Sequence, residues 1–443
     1  MKWIDKIKHL FSIYLPTNSL RKRFAEGMTW VITGSLFRQG ANFLMGIVVA
    51  RLLGLQDFGK LAVLQSTIYM LANFGQAGIG LSATKYIASA RKTDRERTGR
   101  IIAFSLIFTG ISALVTGALM FLFSESIAEM VLPKGDLGLE FKIASGWVVF
   151  EMISLLQLRL FAGLEAFHRS ACLNFIQALL LLPAIYAGIN YWGLVGGIIA
   201  LFVVSVLNCI IGQFLIILEC QLHQIKINFK HILQERRILD MSIMVWLSEV
   251  AMNTTNWAAG ILLARSPNGL AEFALFNAAS RFQSILAFIP LRIFQVAVPV
   301  LANLEADGNR RSFTKGLMGI GLLGLVITMS SGILFILFSE QLMSFYGKGF
   351  AGGSAVLQIM ALCCIVSAAW TIASAGLWAA EKSRQMLALD CLRALLLVTI
   401  CILGFANTAK GLAMAYLISY SIALIFLIIV LHRFLNKPKI VTS

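Results

Sequence analysis

The chain has 443 residues, of which 58% are hydrophobic and 13% are charged, and its mean hydropathy is +0.83. Such a composition leaves too little polar surface to cover a soluble globule of this size, so it excludes a soluble protein and indicates a polytopic membrane protein. The formal net charge is +16. Its basic residues fall on alternate connections instead of forming one stripe, which argues against nucleic acid as a partner.

Residues 1–26 precede the first apolar stretch and are predicted to form a cytoplasmic amphipathic segment. Trp3, Ile7 and Phe11 share one helical face, and lysines such as Lys6 flank it. This pattern is typical of a helix that lies on anionic headgroups. The segment lacks the unbroken apolar core of a cleavable signal peptide.

Long apolar stretches follow along the rest of the chain, and each can cross about 30 Å of hydrocarbon as a helix. Lipid offers no partner to an open backbone, so these stretches are expected to be helical. The fold class is therefore all-α, with about twelve transmembrane helices. The predicted spans lie near residues 27–52, 60–83, 99–123, 143–166, 171–191, 193–218, 241–265, 272–302, 313–338, 353–378, 386–407 and 410–433.

Short motifs recur in order at an offset of 213 to 215 residues, which indicates a duplicated unit. Ala50-Arg51 recurs as Ala264-Arg265, and the tetrapeptide that starts at Leu122 recurs from Leu337. Each unit holds six spans, an even number, so both copies keep the same orientation around an axis along the membrane normal. We therefore expect two pseudo-symmetric six-helix lobes with a cavity between them.

The predicted organisation has five parts, which are a cytoplasmic segment, two lobes, the linker between them and a tail. Their bounds are 1–26, 27–218 (N-lobe), 219–240 (linker), 241–433 (C-lobe) and 434–443 (tail). Because the basic residues concentrate on the connections that share a side with the linker, both termini are predicted to be cytoplasmic. Bent helices are expected at Pro183, Pro290 and Pro299 and at the glycines near residue 78.

Three arginines fall well inside predicted spans, where a cation is costly and by default faces protein or a wet cavity. Arg38 lies near the middle of span 1, and Arg281 and Arg292 lie on one face of span 8. These cations outnumber the nearby acids, so an anionic substrate is expected to complete the site. A guanidinium fork suits phosphate oxygens especially well, which favours a lipid phosphate or pyrophosphate. The arginines nearer span ends, such as Arg51 and Arg265, are interpreted as ties between helices or as anchors at the membrane interface.

Polar side chains line the same predicted cavity from three spans. Asn42, Asn73 and Asn256 are assigned to substrate binding, with hydrogen bonds between helices as the alternative role. Glu249 and Glu151 are assigned as coupling groups or counter-ions to the arginines. No metal site or other cofactor is expected, although H⁺ or Na⁺ coupling is left open.

The stretch from Trp30 to Ser66, with its ARLLGLQDFG turn, and the later GLSATKYIA, Gly80 to Ala88, resemble Wzx-type polysaccharide flippases. These flippases belong to a superfamily that also contains MATE multidrug exporters and lipid II flippases. The resemblance implies a MATE-like fold in an inner membrane. It implies that the chain is not an enzyme but flips an isoprenoid pyrophosphate-linked oligosaccharide by alternating access, with Arg38, Arg281 and Arg292 as counterparts of the family's cationic cavity.

Two further points follow from the resemblance. Membrane lipids are expected partners, and a polysaccharide polymerase and a chain-length regulator are partners that it allows. The alternative function is a cation-coupled drug or metabolite antiporter of the same superfamily, in which Glu249 would be the coupling group.

Overall fold

The computed structural model describes residues 20–132, 137–229, 232, 235, 238–306, 310–380 and 382–436. Every regular element in these ranges is a helix, so the predicted all-α class is confirmed. Most of the predicted amphipathic segment lies outside the described residues, and so do residues 437–443 of the tail. The division into two lobes at residues 219–240 stays a prediction.

Helices of the first half include two very long ones, α1 and α6, that each contain a break. The bounds are α1 (Leu20–Gly75), α2 (Ile79–Ala90), α3 (Arg95–Leu122), α4 (Ser124–Val131), α5 (Gly138–Leu164) and α6 (Phe167–Leu222). At Gly54 the backbone has φ 75° and ψ −175°, a conformation that glycine adopts without a Cβ clash, and it divides α1 into α1a (20–53) and α1b (55–75). Trp192 and Gly193 break α6 in the same way.

The second half of the chain contains the remaining helices. The bounds are α7 (Ile238–Ala264), α8 (Gly269–Leu286), α9 (Phe288–Ala306), α10 (Arg310–Leu337), α11 (Ser339–Ser344), α12 (Ser354–Ala379), α13 (Ser383–Ile402) and α14 (Ala409–Asn436), with short 3₁₀ turns at Lys348–Gly353 and Phe405–Asn407.

The duplication predicted from the sequence is visible in the backbone. Helices α3 and α10 both have 28 residues, and each is followed by a phenylalanine, Phe123 or Phe338, with φ −101° and ψ 19°. The short helices α4 and α11 follow these two residues. The recurring tetrapeptide therefore marks the same structural corner in both halves.

Helix breaks occur at two of the predicted positions. Helix α1 ends at Gly75, and α2 begins after Ala77 and Gly78, which both have positive φ. Helix α8 ends at Leu286, and Pro290 lies in the first turn of α9, where a missing N–H costs no helical hydrogen bond.

Seven helices of the described residues are long and apolar enough to cross a membrane, and the 56-residue α6 is one of them. The remaining long helices, α1, α7, α8 and α9, carry the polar and charged residues singled out above. When α1b–α2 and α8–α9 are each counted as one crossing, the described helices supply the twelve spans predicted. The chain is a multi-pass membrane protein.

The helices pack in two groups that follow the two halves of the sequence. In the first half α6 packs on α1 and α5, and α5 also packs on α3; in the second half α12 packs on α9, α10 and α14. The groups meet where α1 packs on α7 and α8, and where α2 packs on α7. We call the side that holds the α2–α3, α5–α6 and α6–α7 connections the basic side, and the other side the opposite side.

Candidate functional site

Two seams join the halves of the molecule, and the duplication makes them equivalent. One seam pairs α1a with the α8–α9 crossing, and the other pairs the α1b–α2 crossing with α7. Span 1 corresponds to span 7, and span 2 to span 8, so each seam is the counterpart of the other. Their contacts nevertheless differ.

The seam with α7 is closed from the middle of the protein to the basic side. Trp257 donates its indole N–H to the Thr67 hydroxyl at 3.1 Å, and Trp246 donates to the Phe74 carbonyl at 2.8 Å. Nearer the basic side the hydroxyl of Ser242 donates to that of Ser82 at 2.9 Å. This seam therefore holds α1b, α2 and α7 together along most of their length.

The seam with α8 is closed only toward the opposite side, and Arg281 ties it. The Arg281 guanidinium donates to the Asn277 side chain at 3.2 Å, the Asn42 carbonyl at 2.7 Å and the Gln65 side chain at 3.2 Å. Nearer the opposite side, Gly59 lies so close to the Leu270 carbonyl that any Cβ would collide with it. Arg281 thus bonds α8 to both parts of α1, and each of its three guanidinium nitrogens donates to a protein acceptor.

A cluster of five aromatic rings fills the opposite side of the same seam. Phe43 and Phe58 of α1 meet Phe282 of α8 and Tyr346 and Phe350 of the segment before α12, with centroid separations between 5.0 and 6.2 Å. Tyr346 is fully buried. Because edge-to-face rings pack without gaps, the aromatic cluster seals this side against water and lipid headgroups.

Two arginines at the opposite side make reciprocal ties between the halves. Arg51, at the end of α1a, donates to the Phe345 carbonyl at 2.8 Å. Arg265, at the end of α7, donates to the carbonyls of Glu129 (3.2 Å) and Met130. The offset of the repeat relates Arg51 to Arg265 and Met130 to Phe345, so these bonds are the same contact made in both directions. The interpretation of both arginines as ties is confirmed.

Toward the basic side, α1a and the α8–α9 crossing separate. Helix α9 packs on α10 and α12, and no comparable contact joins α9 to α1 in the described residues. Arg38 lies on α1a and Arg292 on α9, the two helices that separate here, and they are close enough for the charge of Arg38 to act on Arg292. The opening is therefore flanked by two cations.

These two arginines differ from Arg281 in their hydrogen bonds. Arg292 donates to Gln295 of its own helix at 2.9 Å and lies 4.7 Å over the Phe288 ring, while its Nε is buried with no partner. Arg38 is exposed and makes no hydrogen bond or salt bridge to a described residue. Both therefore have donors without an acceptor among the described residues.

Glu151 of α5 is the acid that the structure brings to Arg38. Its carboxylate accepts from the Trp147 indole at 3.3 Å and lies within electrostatic range of Arg38 and of Tyr69. No salt bridge joins Glu249 to a described residue. The assignment of either acid as a coupling group stays a prediction.

A cavity of about 230 Å³ between α1b, α7 and α8 brings together two of the three predicted asparagines. Asn73 and Asn256 both line it, and Asn256 also accepts from the Tyr416 hydroxyl at 3.2 Å. Asn42 lies on α1a beside Arg281, outside this cavity. Asn253, one turn from Glu249, lines the cavity too. The three asparagines therefore belong to two neighbouring parts of the interface.

Some interface residues were not identified from the sequence. Asn277 and the Asn42 carbonyl, as acceptors for Arg281, carry no recognisable motif. Tyr346 lies in a connection far from span 1, and only the fold places it in the aromatic cluster. The reciprocal contacts of Arg51 and Arg265 could have been found, because both follow alanine at the same place in the repeat.

The profile of the polysaccharide biosynthesis protein family matches residues 24–305, well over half of the chain. The chain belongs to this family. Among curated relatives, the EPS I polysaccharide export inner membrane protein EpsE of Ralstonia solanacearum is 23% identical over 403 residues, which cover 85% of this chain and 87% of the relative. Stage V sporulation protein B of Bacillus subtilis is 25% identical over 113 residues, 25% of this chain and 22% of that protein.

Solved structures with the same fold belong to transporters. An inward-facing multidrug resistance MATE family transporter of the MOP superfamily has a TM-score of 0.78 at 14% identity, covering 94% of this chain and 100% of that one. The lipid II flippase MurJ in an inward closed conformation has a TM-score of 0.74 at 15% identity, covering 90% and 86%. The predicted MATE-like fold is confirmed. The family, its export relatives and these transporters agree with the expectation that the chain is not an enzyme.

Proposed function

We propose that this member of the polysaccharide biosynthesis protein family moves an isoprenoid pyrophosphate-linked oligosaccharide across the inner membrane by alternating access. Family membership and the export relative support transport of a polysaccharide precursor. The neighbouring fold of a lipid II flippase supports a substrate attached to a lipid carrier. The substrate is the repeat unit of a surface polysaccharide.

The observation that carries this proposal is the one-sided opening between α1a and α9. A lipid-linked substrate has an apolar tail that stays in the bilayer and a polar headgroup that must leave it. A gap on one side of the interface admits the headgroup while the tail remains outside in lipid. The closed seam with α7 shuts the other flank.

Arg38 and Arg292 are the groups that bind the pyrophosphate. They flank the opening, they retain free donors, and a guanidinium can bind phosphate oxygens in bidentate fashion. In the state described, the donors of Arg281 are taken by Asn42, Asn277 and Gln65, so Arg281 reaches the substrate only when this seam separates.

The asparagines are assigned to binding of the sugar part of the substrate. Asn73 and Asn256 line one cavity beyond the opening, where their amides can exchange hydrogen bonds with sugar hydroxyls. Asn42 precedes them along the path from Arg38. A cavity of about 230 Å³ is small for an oligosaccharide, so the sugar extends into the opening.

Orientation follows from the charges on the connections. The basic side is assigned to the cytoplasm by the positive-inside rule, which places both termini there. The described state then opens to the cytoplasm, where the substrate is loaded. A polymerase and a chain-length regulator are proposed to act on the opposite side, where the product emerges.

Energy coupling by H⁺ or Na⁺ is assigned to the two interface acids. Glu151 lies within range of Arg38, so a change in its charge would alter how strongly that arginine holds an anion. Glu249 lies on the same face of α7 as Asn253 and Asn256. The substitutions Glu151→Gln and Glu249→Gln test separately whether each acid is needed for ion coupling.

The test is transport by the purified protein in liposomes. A fluorescent isoprenoid pyrophosphate oligosaccharide is incorporated, and the fraction accessible to a membrane-impermeant quencher is followed with time. The proposal predicts movement between leaflets that protein-free liposomes lack. It fails if this lipid stays in its leaflet while the protein is folded.

The second candidate function is a cation-coupled drug or metabolite antiporter, which is favoured by a Glu249 carboxylate that forms no salt bridge to a described residue. In this case the same liposomes would expel a cationic dye along an imposed ion gradient, and Glu249→Gln would stop the efflux. Dye efflux that survives Glu249→Gln contradicts Glu249 as its coupling group.

A further inference from the structure

A polar pocket of about 250 Å³ lies on the basic side, away from the interface between the halves. It is formed where α2 ends, α3 begins, and α5 and α6 end. The lining residues are Arg91, Lys92, Arg95, Leu164, His223 and Ile225.

The position of the pocket relative to the membrane follows from these helix ends. Helices α3, α5 and α6 are all long and apolar enough to span a bilayer. Because the pocket lies where all three end, it lies at the level of the lipid headgroups on that side. Leu164 and Ile225 give it an apolar wall.

Arg91 forms the inner part of the pocket and has an unused donor. Its side chain is 11% exposed, pairs with Glu165 and donates to the Leu164 carbonyl at 2.8 Å. Its Nε is nevertheless buried with no partner.

The other two cations are exposed and form no salt bridge within the described part of the chain. Arg95 donates to the neutral side chain of Gln224 at 2.7 Å, and Lys92 makes no hydrogen bond or salt bridge to a described residue. The carboxylates around the pocket have other partners. Glu165 pairs with Arg91, and Glu219 pairs with Arg169 and His223. Asp94 accepts from the Arg97 backbone N–H, and Glu96 pairs with Arg100. Lys92 and Arg95 therefore line the pocket without a salt bridge to any described residue.

We propose that this pocket binds the headgroup phosphate of an anionic membrane lipid. Three cations converge on one small volume, and the pocket opens at headgroup depth beside an apolar wall. Basic pockets between spans on this side of a membrane protein suit lipid phosphates. The site is separate from the substrate opening and does not depend on the proposed function.

The bound phosphate would join two parts of the chain. Arg91, Lys92 and Arg95 belong to the α2–α3 turn, whereas His223 and Ile225 begin the connection between the two halves. The same connection is already held to α3 by Arg97 and Arg100, which pair with Glu235 at 3.4 and 3.6 Å. A lipid in the pocket would strengthen this attachment.

The experiment compares lipid binding by native mass spectrometry of the full-length protein in neutral detergent. The protein is titrated separately with phosphatidylglycerol, phosphatidylcholine and inorganic phosphate. The test variant is Lys92→Gln/Arg95→Gln, both exposed positions that leave the core intact. The matched control is Lys382→Gln/Arg384→Gln, which removes two exposed charges from another basic-side turn outside the pocket.

Wild type and the control variant are expected to bind the first phosphatidylglycerol about tenfold more tightly than the test variant, since each removed cation weakens attraction to an anionic headgroup. Competition by inorganic phosphate would support recognition of the phosphate itself. Equal binding by the test variant and wild type overturns the site. Equal affinity for phosphatidylcholine, or binding of inorganic phosphate without phosphatidylglycerol, overturns the anionic lipid as its ligand.

Discussion

The two seams between the halves are related by the duplication, yet only one of them opens. The seam of α7 with α1b and α2 has hydrogen bonds from Trp257 in the middle to Ser242 on the basic side. The seam of α1a with α8 is closed by Arg281 and the aromatic cluster, and it parts beyond them toward the basic side. The pseudo-symmetry therefore breaks down toward the basic side, where, in the described residues, α7 stays packed on α2 while α9 is not packed on α1.

The charges follow the same division. Where the seam is closed, Arg281 gives its donors to protein acceptors on both halves. Where the seam is open, Arg38 has no described hydrogen-bond partner and Arg292 keeps a buried free Nε. Arg281 thus ties the halves, whereas Arg38 and Arg292 have donors without an acceptor among the described residues.

Removal of the two cations at the opening should have the largest effect. In Arg38→Ala/Arg292→Ala, flipping of the pyrophosphate lipid should fall at least about 100-fold, because each charge-assisted hydrogen bond to phosphate contributes about 1.5–3 kcal/mol. The measurement is the liposome quenching assay. Arg384→Ala, an exposed basic-side cation outside the seam, is the control and should flip at the wild-type rate. An unchanged rate in the double variant would remove both arginines from the site.

Arg281→Ala should show that Arg281 holds the two halves together, whereas Arg38 does not. The substitution removes three hydrogen bonds: one within α8, to Asn277, and two from α8 to the two parts of α1, at Asn42 and Gln65. The free energy of unfolding should therefore fall by about 2 kcal/mol. Thermal unfolding in detergent measures this loss. Arg38→Ala should leave the unfolding midpoint unchanged, since Arg38 has no such bonds. Equal midpoints for both variants would contradict the distinction between the two kinds of arginine.

The reciprocal arginines should give a smaller and symmetric effect. Arg51→Ala and Arg265→Ala each loosen the closed side by about 1 kcal/mol, so the minor state open on that side should rise about fivefold. The reporter is maleimide labelling of Ala50→Cys, a 2% exposed position one turn from the contact of Gly46 with Arg281. Exposed Cys172 and Cys391 are replaced in the background. Effects that differ greatly between the two variants would contradict their equivalence.

Much of the fold could be predicted from the sequence because hydrophobicity and repetition act locally. Apolar length gives the spans, and the tetrapeptide at Leu122 and Leu337 gives the duplicated corner that the backbone reproduces. The break near Gly78 follows from the glycines around it. Arg38 and Arg292 could be selected because a cation inside a span is costly and rare.

The site could be predicted only in part, because its partners are distant in sequence or belong to the backbone. In the sequence, Arg281 and Arg292 lie on the same face of span 8 and cannot be told apart. Only the fold shows that Arg281 donates to the Asn42 carbonyl and to Gln65. The one-sided opening depends on where α9 departs after the break at residue 287. The direction of α9 depends on its packing against α10 and α12, and no sequence motif marks that packing.

The measurement that tests this account most directly is a disulfide across the closed side. In Leu55→Cys/Gly349→Cys, the Cβ position of residue 349 lies 3.9 Å from Cβ of residue 55, within the normal range for a disulfide. The control pair is Ser82→Cys/Ser242→Cys in the other seam, whose hydroxyls are 2.9 Å apart. Native cysteines are replaced in both.

If the closed side must open during each cycle, oxidation of the Leu55→Cys/Gly349→Cys protein should stop flipping, and reduction should restore it. The oxidised Ser82→Cys/Ser242→Cys protein should keep flipping, because that seam stays joined throughout. Flipping that continues with the 55–349 disulfide formed would contradict alternating access through the α1–α8 seam.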